Sequence, residues 1–563
     1  MYILGVCDSQ DAGAVIINSE SNQITAVNEE RLSRIKLQGG FPYLSIIEVL
    51  RLKKIKQEQI DLVAIASDMT PCFILRLFSK SHAQLRDNNK QFSFLLSVYI
   101  LYQVLAEKLI LPKKIESFLS RMVLGYKLSK LGINAKVITV DHHIAHAYAA
   151  YGICGFDNAL IITIDGLGDG VSFSVNIGKE GIIKPVFRQS ALNDITLYYS
   201  RLTEFLGFKP IQDEGKVMGL AAYCGKYSAL DQAAKLLRVS NGRFKLKNPF
   251  VRNKKIFKQL KTISKQEVAA SFQKHAEDCI EQIIAYWVKK TNISKVVLGG
   301  GFFANIKVNQ KIANIKQVDK IYVCPHMGDG GLALGAAFFA KKQKPFKAKD
   351  VFFGSEYTNK QISEVLESQK IEYQISNSIH NEIAELLSRG KIIARFNKAM
   401  EFGPRALGNR SIIAAAVDNS IQNSLNIKLG RDDFMPFGPS ILSEYKAKCC
   451  EQTDKAAYAG EFMNISFKAT DYFKKKCPGA VHKDGTTRPQ FVSMNSNNDF
   501  YNILNEYRKI TNIPALLNTS FNIHEEPIVC SPKDAIRSFQ KSRIDYLAIG
   551  DFLIKRRDDE EKQ

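Results

Sequence analysis

Lys320-Ile-Tyr-Val-Cys-Pro-His-Met-Gly-Asp-Gly-Gly331 carries the pattern that decides the fold. Lys320 to Val323 is a short β-type run, and it breaks into a Pro/Gly segment that holds an aspartate. The same grammar recurs upstream. Lys295 to Leu298 is a strand ending in Gly299-Gly300-Gly301. Ala159 to Ile164 is an apolar run ending in Asp165-Gly-Leu-Gly-Asp-Gly170, and Lys136 to Val140 precedes Asp141-His-His-Ile-Ala-His-Ala147. Strand, glycine turn and helix in repetition predict an α/β domain. Met1 to Val6, Ala14 to Ile17 and Gln23 to Val27 add three strands, the first two flanking a polar turn, Asp8 to Asp11. The letters show no internal repeat of about 20–50 residues and no low-complexity tract.

The chain has 563 residues, 45% of them hydrophobic, with 78 Lys+Arg against 56 Asp+Glu for a net charge of +22. That composition supports globular cores and excludes global disorder. At roughly 150 residues per domain the length predicts three or four structural units. The basic excess raises nucleic acid, membrane surfaces or anionic substrates as partners. Met1-Tyr-Ile-Leu-Gly-Val-Cys7 lacks signal-peptide features, and the ten cysteines form no CxxC pair. Reduced thiols and a cytoplasmic location are therefore expected. A basic linker, Lys341 to Lys349, marks a boundary near 342–353, giving domains 1–345 and 350–563.

Residues 72–130 differ from their surroundings, with ten basic residues against three acids, a net of +7. Phe92 to Leu111 is mostly apolar but contains Ser97, Gln103, Glu107 and Lys108, a poor composition for a transmembrane helix. It reads either as a buried helix with a basic flank, the preferred reading, or as an interfacial amphipathic helix. The second reading places the protein peripherally on the inner face of a membrane.

Several constellations could carry chemistry. His142 and His146, four apart, share a face if helical and can bind one metal; a single core histidine with surface neighbours is the alternative. Asp165 and Asp329, at strand ends before glycines, could complete the set or be turn aspartates bonding their own backbone. A His₂Asp₂ set suits Fe(II), Mn(II) or Zn(II). Gly299-Gly300-Gly301 with Asn305 could hold a nucleotide on backbone N–H groups or be a plain tight turn. Asp213-Glu214-Gly215-Lys216 could equally be a solvated loop. The second half holds a cationic set, Arg405, Arg410, Lys428, Arg431 and Arg488, with Asn518 and Ser520 as added donors. Arginine forks among small residues suit phosphate recognition.

Together these segments resemble the NodU/CmcH carbamoyltransferase family over nearly the whole chain. The resemblance rests on Glu29-Glu-Arg-Leu-Ser-Arg-Ile-Lys36, His142-His-Ile-Ala-His146, Leu206-Gly-Phe208, Glu214-Gly-Lys-Val-Met-Gly-Leu220 and Gly300-Gly301 with Asn305. It continues through Gly328-Asp329, Ala333-Leu-Gly-Ala336, Phe402-Gly-Pro-Arg-Ala-Leu-Gly408, Asn518-Thr-Ser-Phe-Asn522 and Glu526-Pro-Ile-Val529. Residues 72–130 match least and read as an insertion.

The resemblance implies an N-terminal actin-like (ASKHA) domain, similar to the tRNA threonylcarbamoyl-transferring enzyme, and a C-terminal YrdC-like α/β domain. It implies ATP and carbamoyl phosphate as co-substrates, a carbamoyl-adenylate intermediate, an iron-type metal, with Mg²⁺ a further candidate, and transfer to a hydroxyl of a sugar, glycan or natural product. His142, His146, Asp165 and Asp329 fall on the family's metal positions. Lys36, Asp11 and Glu214 become catalytic candidates, Lys36 and Glu214 as positioning or charge-stabilising groups. Gly300, Gly301, Asn305 and Lys216 become nucleotide contacts, and the cationic set meets carbamoyl phosphate and ATP. No nucleic acid partner is expected, and a homodimer is a candidate assembly.

Three departures stand out. The family often has His where Gln10 stands, Arg where Met435 stands, and Arg-Gly-Glu around His524-Glu525-Glu526. A glutamine cannot serve as an acid or base, so any role of that histidine is missing or relocated. The rival readings are a tRNA-modifying enzyme and a nucleotide-binding regulatory homologue with weakened catalysis.

Overall fold

The computed structural model describes residues 1–78, 92–247, 254–430, 437–523 and 525–556. The chain forms two compact units, not three or four: 1–29 with 37–348, and 30–36 with 349–563.

The first unit holds two five-stranded sheets. In one, β1 (Tyr2–Cys7), β2 (Gly13–Asn18), β3 (Ile24–Asn28), β4 (Ile60–Ala66) and β5 (Lys136–Val140) lie in the order β3-β2-β1-β4-β5. The other contains β6 (Asn158–Gly168), β7 (Val171–Lys179) and β8 (Ile182–Ser190). After a hairpin of β9 (Leu237–Ser240) and β10 (Arg243–Leu246), β11 (Lys295–Gly299) and β12 (Lys320–Val323) complete it in the order β12-β11-β6-β7-β8. The two orders match strand for strand. Each has an antiparallel meander, β1-β2-β3 or β6-β7-β8, whose first strand pairs in parallel with one later strand, β4 or β11, which in turn pairs in parallel with the next, β5 or β12. The repeat that the letters do not show is therefore present in the topology. Central strands β1 and β6 are Val/Ile/Leu-rich and buried on both faces, as parallel pairing under helices requires.

Packing between helix His142–Tyr151 and helix Leu332–Lys341 depends on missing side chains. A Cβ on Gly335 would lie 1.8 Å from the Ala145 carbonyl oxygen, and one on Gly5 of β1 would lie 2.0 Å from that of Ala333. The ten cysteines are all free thiols.

The second unit is built on an eight-stranded mixed sheet. Its strands are β13 (Gln374–Ile375), β14 (Ile393–Phe396), β15 (Arg410–Ala414), β16 (Gly438–Leu442), β19 (Gln490–Val492), β20 (Ala515–Ser520), β21 (Tyr546–Ile549) and β22 (Phe552–Lys555). They run β13-β22-β21-β14-β15-β20-β16-β19, and β17 (Phe467–Lys468) pairs separately with β18 (Thr486–Thr487). Residues 30–36 belong to this unit although the sequence motif Glu29–Lys36 reads as part of the first domain. Arg31 Nη2 donates to the Gly403 carbonyl at 2.7 Å. Arg34 donates to the carbonyls of Ile528 (2.7 Å) and Pro527 (2.6 Å), and it lies 3.7 Å from Glu526 and 3.6 Å from Asp534.

Helix Phe92–Lys108 and helix Ile110–Ser129 occupy the insertion. No helix among the described residues is long and apolar enough to cross a membrane.

Two glycine substitutions separate packing from propensity. Gly125→Ala, where nothing lies within 4 Å of the new Cβ, should stabilise by about 0.5–1 kcal/mol through helix propensity. Gly335→Ala gains the same propensity but should destabilise by about 1–3 kcal/mol, because backbone must move. Urea unfolding of both variants reads the opposite signs.

Candidate metal centre

In the first unit the chemistry-bearing residues sit at the C-terminal ends of strands, where the open edge of an α/β sheet leaves a crevice. Ser9 follows β1, Ser67 follows β4, and Asp141 and His142 follow β5. Asp165 stands near the end of β6, Gly300-Gly301 follow β11, and Asp329 follows β12.

Asp141 caps helix His142–Tyr151 by accepting from the Ile144 N–H at 3.2 Å. The helix turn then places both His142 and His146 toward the strand ends. Their Nε2 atoms are 3.1 Å apart. His142 Nε2 is 3.4 Å from Asp165 and 3.7 Å from Asp329; His146 Nε2 is 3.9 Å from Asp165 and 3.6 Å from Asp329. One donor atom from each of the four lies within 4.8 Å of the others. Both histidines are fully buried. Burial opposes charge on His142, but hydrogen bonding to Asp165 and the charges of Asp329 and Asp165 win, raising its pKa to about 9. Asp165, in spite of its burial, is held well below the usual carboxylate range by the two histidines and the Gly301 N–H. Two imidazole nitrogens and two carboxylates converging in a buried pocket fit a divalent transition metal.

Residues outside the donor set fix its orientation, as supporting groups around metal ligands do. Ser67 Oγ lies 2.8 Å from His142 Nδ1, which turns Nε2 inward. Ser9 Oγ donates to Asp329 at 3.0 Å. Asp169, in the β6–β7 turn, accepts from the backbone N–H groups of Asp68 (2.8 Å), Met69 (2.8 Å) and His142 (2.9 Å). A Cβ on Gly168 would lie 2.0 Å from the His142 ring, so that ring position requires glycine. His326 Nε2 lies 3.2 Å from Asn28 Oδ1 and 3.6 Å from Asp11. Asn28 in turn donates to the Gly330 carbonyl at 3.2 Å, beside Asp329. None of Ser9, Ser67, Asp169, His326 and Asn28 is signalled as supporting the site by local spacing, because each acts across a long sequence distance.

A second acidic group, Asp68, Asp141 and Asp169, also gathers its oxygens within 4.8 Å. Cations already stand among them: Lys113 is 3.6 Å from Asp68 and 3.2 Å from Asp141, and Arg188 is 2.7 Å from Asp141.

The other sequence candidates are placed as follows. Gly300 (φ 97°) passes so close to β6 that a Cβ would lie 2.1 Å from the Ile164 carbonyl oxygen. Gly301 N–H donates to Asp165 at 2.7 Å, so the glycine turn orients one of the four converging side chains. Asn305 caps helix Ile306–Ala313 and exchanges amide hydrogen bonds with Gln273. Glu214 accepts from Ser200 (3.1 Å) and the Ile211 N–H (2.6 Å), with its pKa raised by burial. Lys216 pairs with Asp213 at 3.2 Å. Asp11 occupies the β1–β2 turn, and Lys36 is exposed within the second unit's segment 30–36.

In the second unit the Phe402–Gly408 loop is held by Glu401, whose Oε1 accepts from the N–H groups of Leu407 (2.8 Å), Asn409 (2.8 Å) and Arg410 (3.0 Å). Arg405 and Arg488 are set deep but keep part of their surface accessible. Burial pushes the Arg405 pKa down to about 10. Burial, then the charge of Arg405, pushes Arg488 well below its usual value. Neither forms an ion pair among the described residues. Arg410 is different from the expectation of a ligand contact. Its Nη atoms donate to the carbonyls of Asn397, Asn409, Ser355 and Lys398, and its guanidinium stacks 3.7 Å from the Phe396 ring centroid. Lys428 pairs with Asp545 at 3.1 Å. Asn518 donates inside a buried network to Ser440 and Gln490, and Ser520 Oγ donates to Asn522. Arg431 and Met435 lie outside the described residues.

Two family models match the chain, Carbamoyltransferase N-terminus over residues 2–338 and Carbamoyltransferase C-terminus over residues 384–556. An uncharacterized protein of Methanocaldococcus jannaschii is 32% identical over 573 residues, covering 98% of this chain and 99% of its own length. Nodulation protein NolNO of Sinorhizobium fredii is 30% identical, covering 97% of this chain and 79% of its own. Nodulation protein NolO of Bradyrhizobium diazoefficiens is 32% identical, covering 74% and 79%. Among solved structures, full-length HypF in its phosphate- and nucleotide-bound form shares 15% identity and a TM-score of 0.34, over 61% of this chain and 55% of that one, a likeness too slight to weigh. Matched in both units and along nearly its whole length, the protein belongs to the NodU/CmcH carbamoyltransferase family and is a carbamoyltransferase.

Proposed function

We propose that the protein is an ATP-dependent O-carbamoyltransferase that draws on carbamoyl phosphate and carbamoylates a hydroxyl of a sugar, glycan or natural product. The observation that carries this reading is the convergence of His142, His146, Asp165 and Asp329 at the strand ends of the first unit. The part-exposed Arg405 and Arg488, neither in an ion pair among the described residues, support an anion site in the second.

Carbamate is a poor electrophile, because its nitrogen donates into the carbonyl, so it needs a leaving group. Water releases carbamate and phosphate from carbamoyl phosphate. A carbamate oxygen then bonds the α-phosphorus of ATP and pyrophosphate leaves. In the transfer step the acceptor oxygen bonds the carbamoyl carbon, AMP leaves, and the hydroxyl proton passes to a base. Arg405 and Arg488 supply forked donors for the phosphate oxygens, whereas Arg410 is bound to the carbonyls of Asn397 and Ser355. His142, His146, Asp165 and Asp329 would hold a divalent transition metal, which would supply Lewis acidity toward a carbonyl or phosphoryl oxygen. Ser67, Ser9 and the Gly301 N–H hold those side chains inward.

Purified protein given iron(II), ATP and carbamoyl phosphate should release AMP and pyrophosphate; no nucleotide turnover with any acceptor or metal sinks the reading. His142→Ala should abolish metal binding and carbamoyl transfer, while ATP–pyrophosphate exchange driven by carbamoyl phosphate stays largely intact. Equal loss of both half-reactions contradicts this division of labour. Arg488→Met should cut that exchange by about thirtyfold or more. The same change should leave ligand-free stability equal or higher in urea unfolding, since it removes a desolvated like charge.

A further inference from the structure

Helix Ile110–Ser129 turns apolar side chains both ways. Its inward side mixes the buried Leu124 and Leu128 with polar and charged groups. Glu116 is buried, accepting from the Tyr102 hydroxyl at 2.7 Å and from the Phe73 N–H. Ser117 meets Thr139 at 2.8 Å, and Lys127 donates to the Arg76 carbonyl at 2.5 Å. Lys113 pairs with Asp141, the cap of the histidine helix. Its outward side carries Leu111, Ile115, Phe118, Met122 and Tyr126, each 50–68% exposed. Steps of four, three, four and four residues put these five on one stripe, about 22 Å long at 1.5 Å per residue. Leu101 and Leu105 on the preceding helix and Leu109 at the junction are also exposed. Exposed apolar surface of this kind marks an interaction site, because water-facing helix sides are ordinarily polar.

The charges indicate the partner. Between residues 99 and 130 the exposed charged side chains are Lys108, Lys114, Arg121 and Lys130, all positive. Of the acids there, Glu116 is buried and Glu107 stands 3.6 Å from Arg188. At 100° per residue, Lys114 and Arg121 flank the stripe on one side and Lys130 on the other, with the Lys130 ammonium 4.6 Å from the Tyr126 ring centroid. Two copies meeting stripe to stripe would bring like charges together. An apolar stripe between cationic rims suits an anionic bilayer, with the stripe at the acyl boundary and the cations at the headgroups.

We propose that helix Ile110–Ser129 docks the protein, lying in the plane of the interface, onto a membrane surface rich in anionic lipid. Because Lys113 ties this helix to Asp141, the docked face is the outer side of the element that supports the metal centre.

The test is flotation of the full chain with vesicles of phosphatidylcholine alone or of equal parts phosphatidylcholine and phosphatidylglycerol. The wild type should float with the anionic vesicles and much less with the neutral ones, more weakly as salt rises. Phe118→Asp/Met122→Asp, both at exposed positions, should abolish flotation with circular dichroism unchanged. Lys114→Glu/Arg121→Glu should weaken anionic-vesicle binding by about tenfold or more, keeping the apolar stripe intact. Flotation of neither vesicle by the wild type, equal binding to both, or undiminished binding by Phe118→Asp/Met122→Asp overturns the proposal. So does a solution dimer that Phe118→Asp/Met122→Asp splits, which would assign the stripe to a second copy.

Discussion

In each unit one buried carboxylate collects three backbone N–H groups and thereby shapes a loop that carries chemistry. Asp169 gathers Asp68, Met69 and His142; Glu401 gathers Leu407, Asn409 and Arg410. A carboxylate can satisfy several donors at once, whereas an unpaired buried amide costs about 1–3 kcal/mol. Asp169 joins the ends of β4 and β5 in one sheet to the β6–β7 turn of the other. The position of the His142 backbone, and through it the imidazoles of His142 and His146, thus follows from a residue outside the four-residue cluster. Glu401 does the same for the loop that presents Arg405. In both places a carboxylate side chain fixes the geometry, and the side chains that the loop presents are left free of that task.

The arginines of the second unit show how burial sorts identical residue types. Arg410 spends its Nη donors on four carbonyls and its face on Phe396, so its charge is absorbed by the scaffold. Arg405 and Arg488 keep accessible surface and form no ion pair among the described residues, so their charge is available to an anion. Sequence clustering treats the three alike; only the positions of carbonyl groups separate them.

The strand–glycine–helix grammar was legible in the letters because it is local: apolar runs, turn glycines and the four-residue spacing of His142 and His146 each need a short window. The supporting contacts were not. Ser9 reaches Asp329 across 320 residues, and His326 reaches Asn28 across 298. The repeated five-strand order was also hidden, since two sheets can share a topology without sharing side chains. Helix Ile110–Ser129 defeats periodicity differently: its apolar stripe is plain, but the usual rule assigns that stripe to the core, and here the core side is filled by Leu124 and Leu128 among polar groups instead. Asp141 shows the same limit. Its cap position can be read from Asp141-His142-His143, yet its partners Lys113 and Arg188 come from distant elements.

Residues 30–36 belong to the second unit but are synthesised with the first. Lys36 is made 313 residues before Lys349 (349 − 36), an interval of roughly 15–60 s at bacterial or eukaryotic elongation rates. Throughout that interval Arg34 lacks the carbonyls of Pro527 and Ile528 and the carboxylates of Glu526 and Asp534, because they do not yet exist. The second unit is thus completed by a peptide that the nascent chain has carried through that whole interval. A gene divided at residue 348 would not yield two self-sufficient halves: the downstream product would lack seven residues of its own fold, and they would have to be supplied by the upstream product in trans.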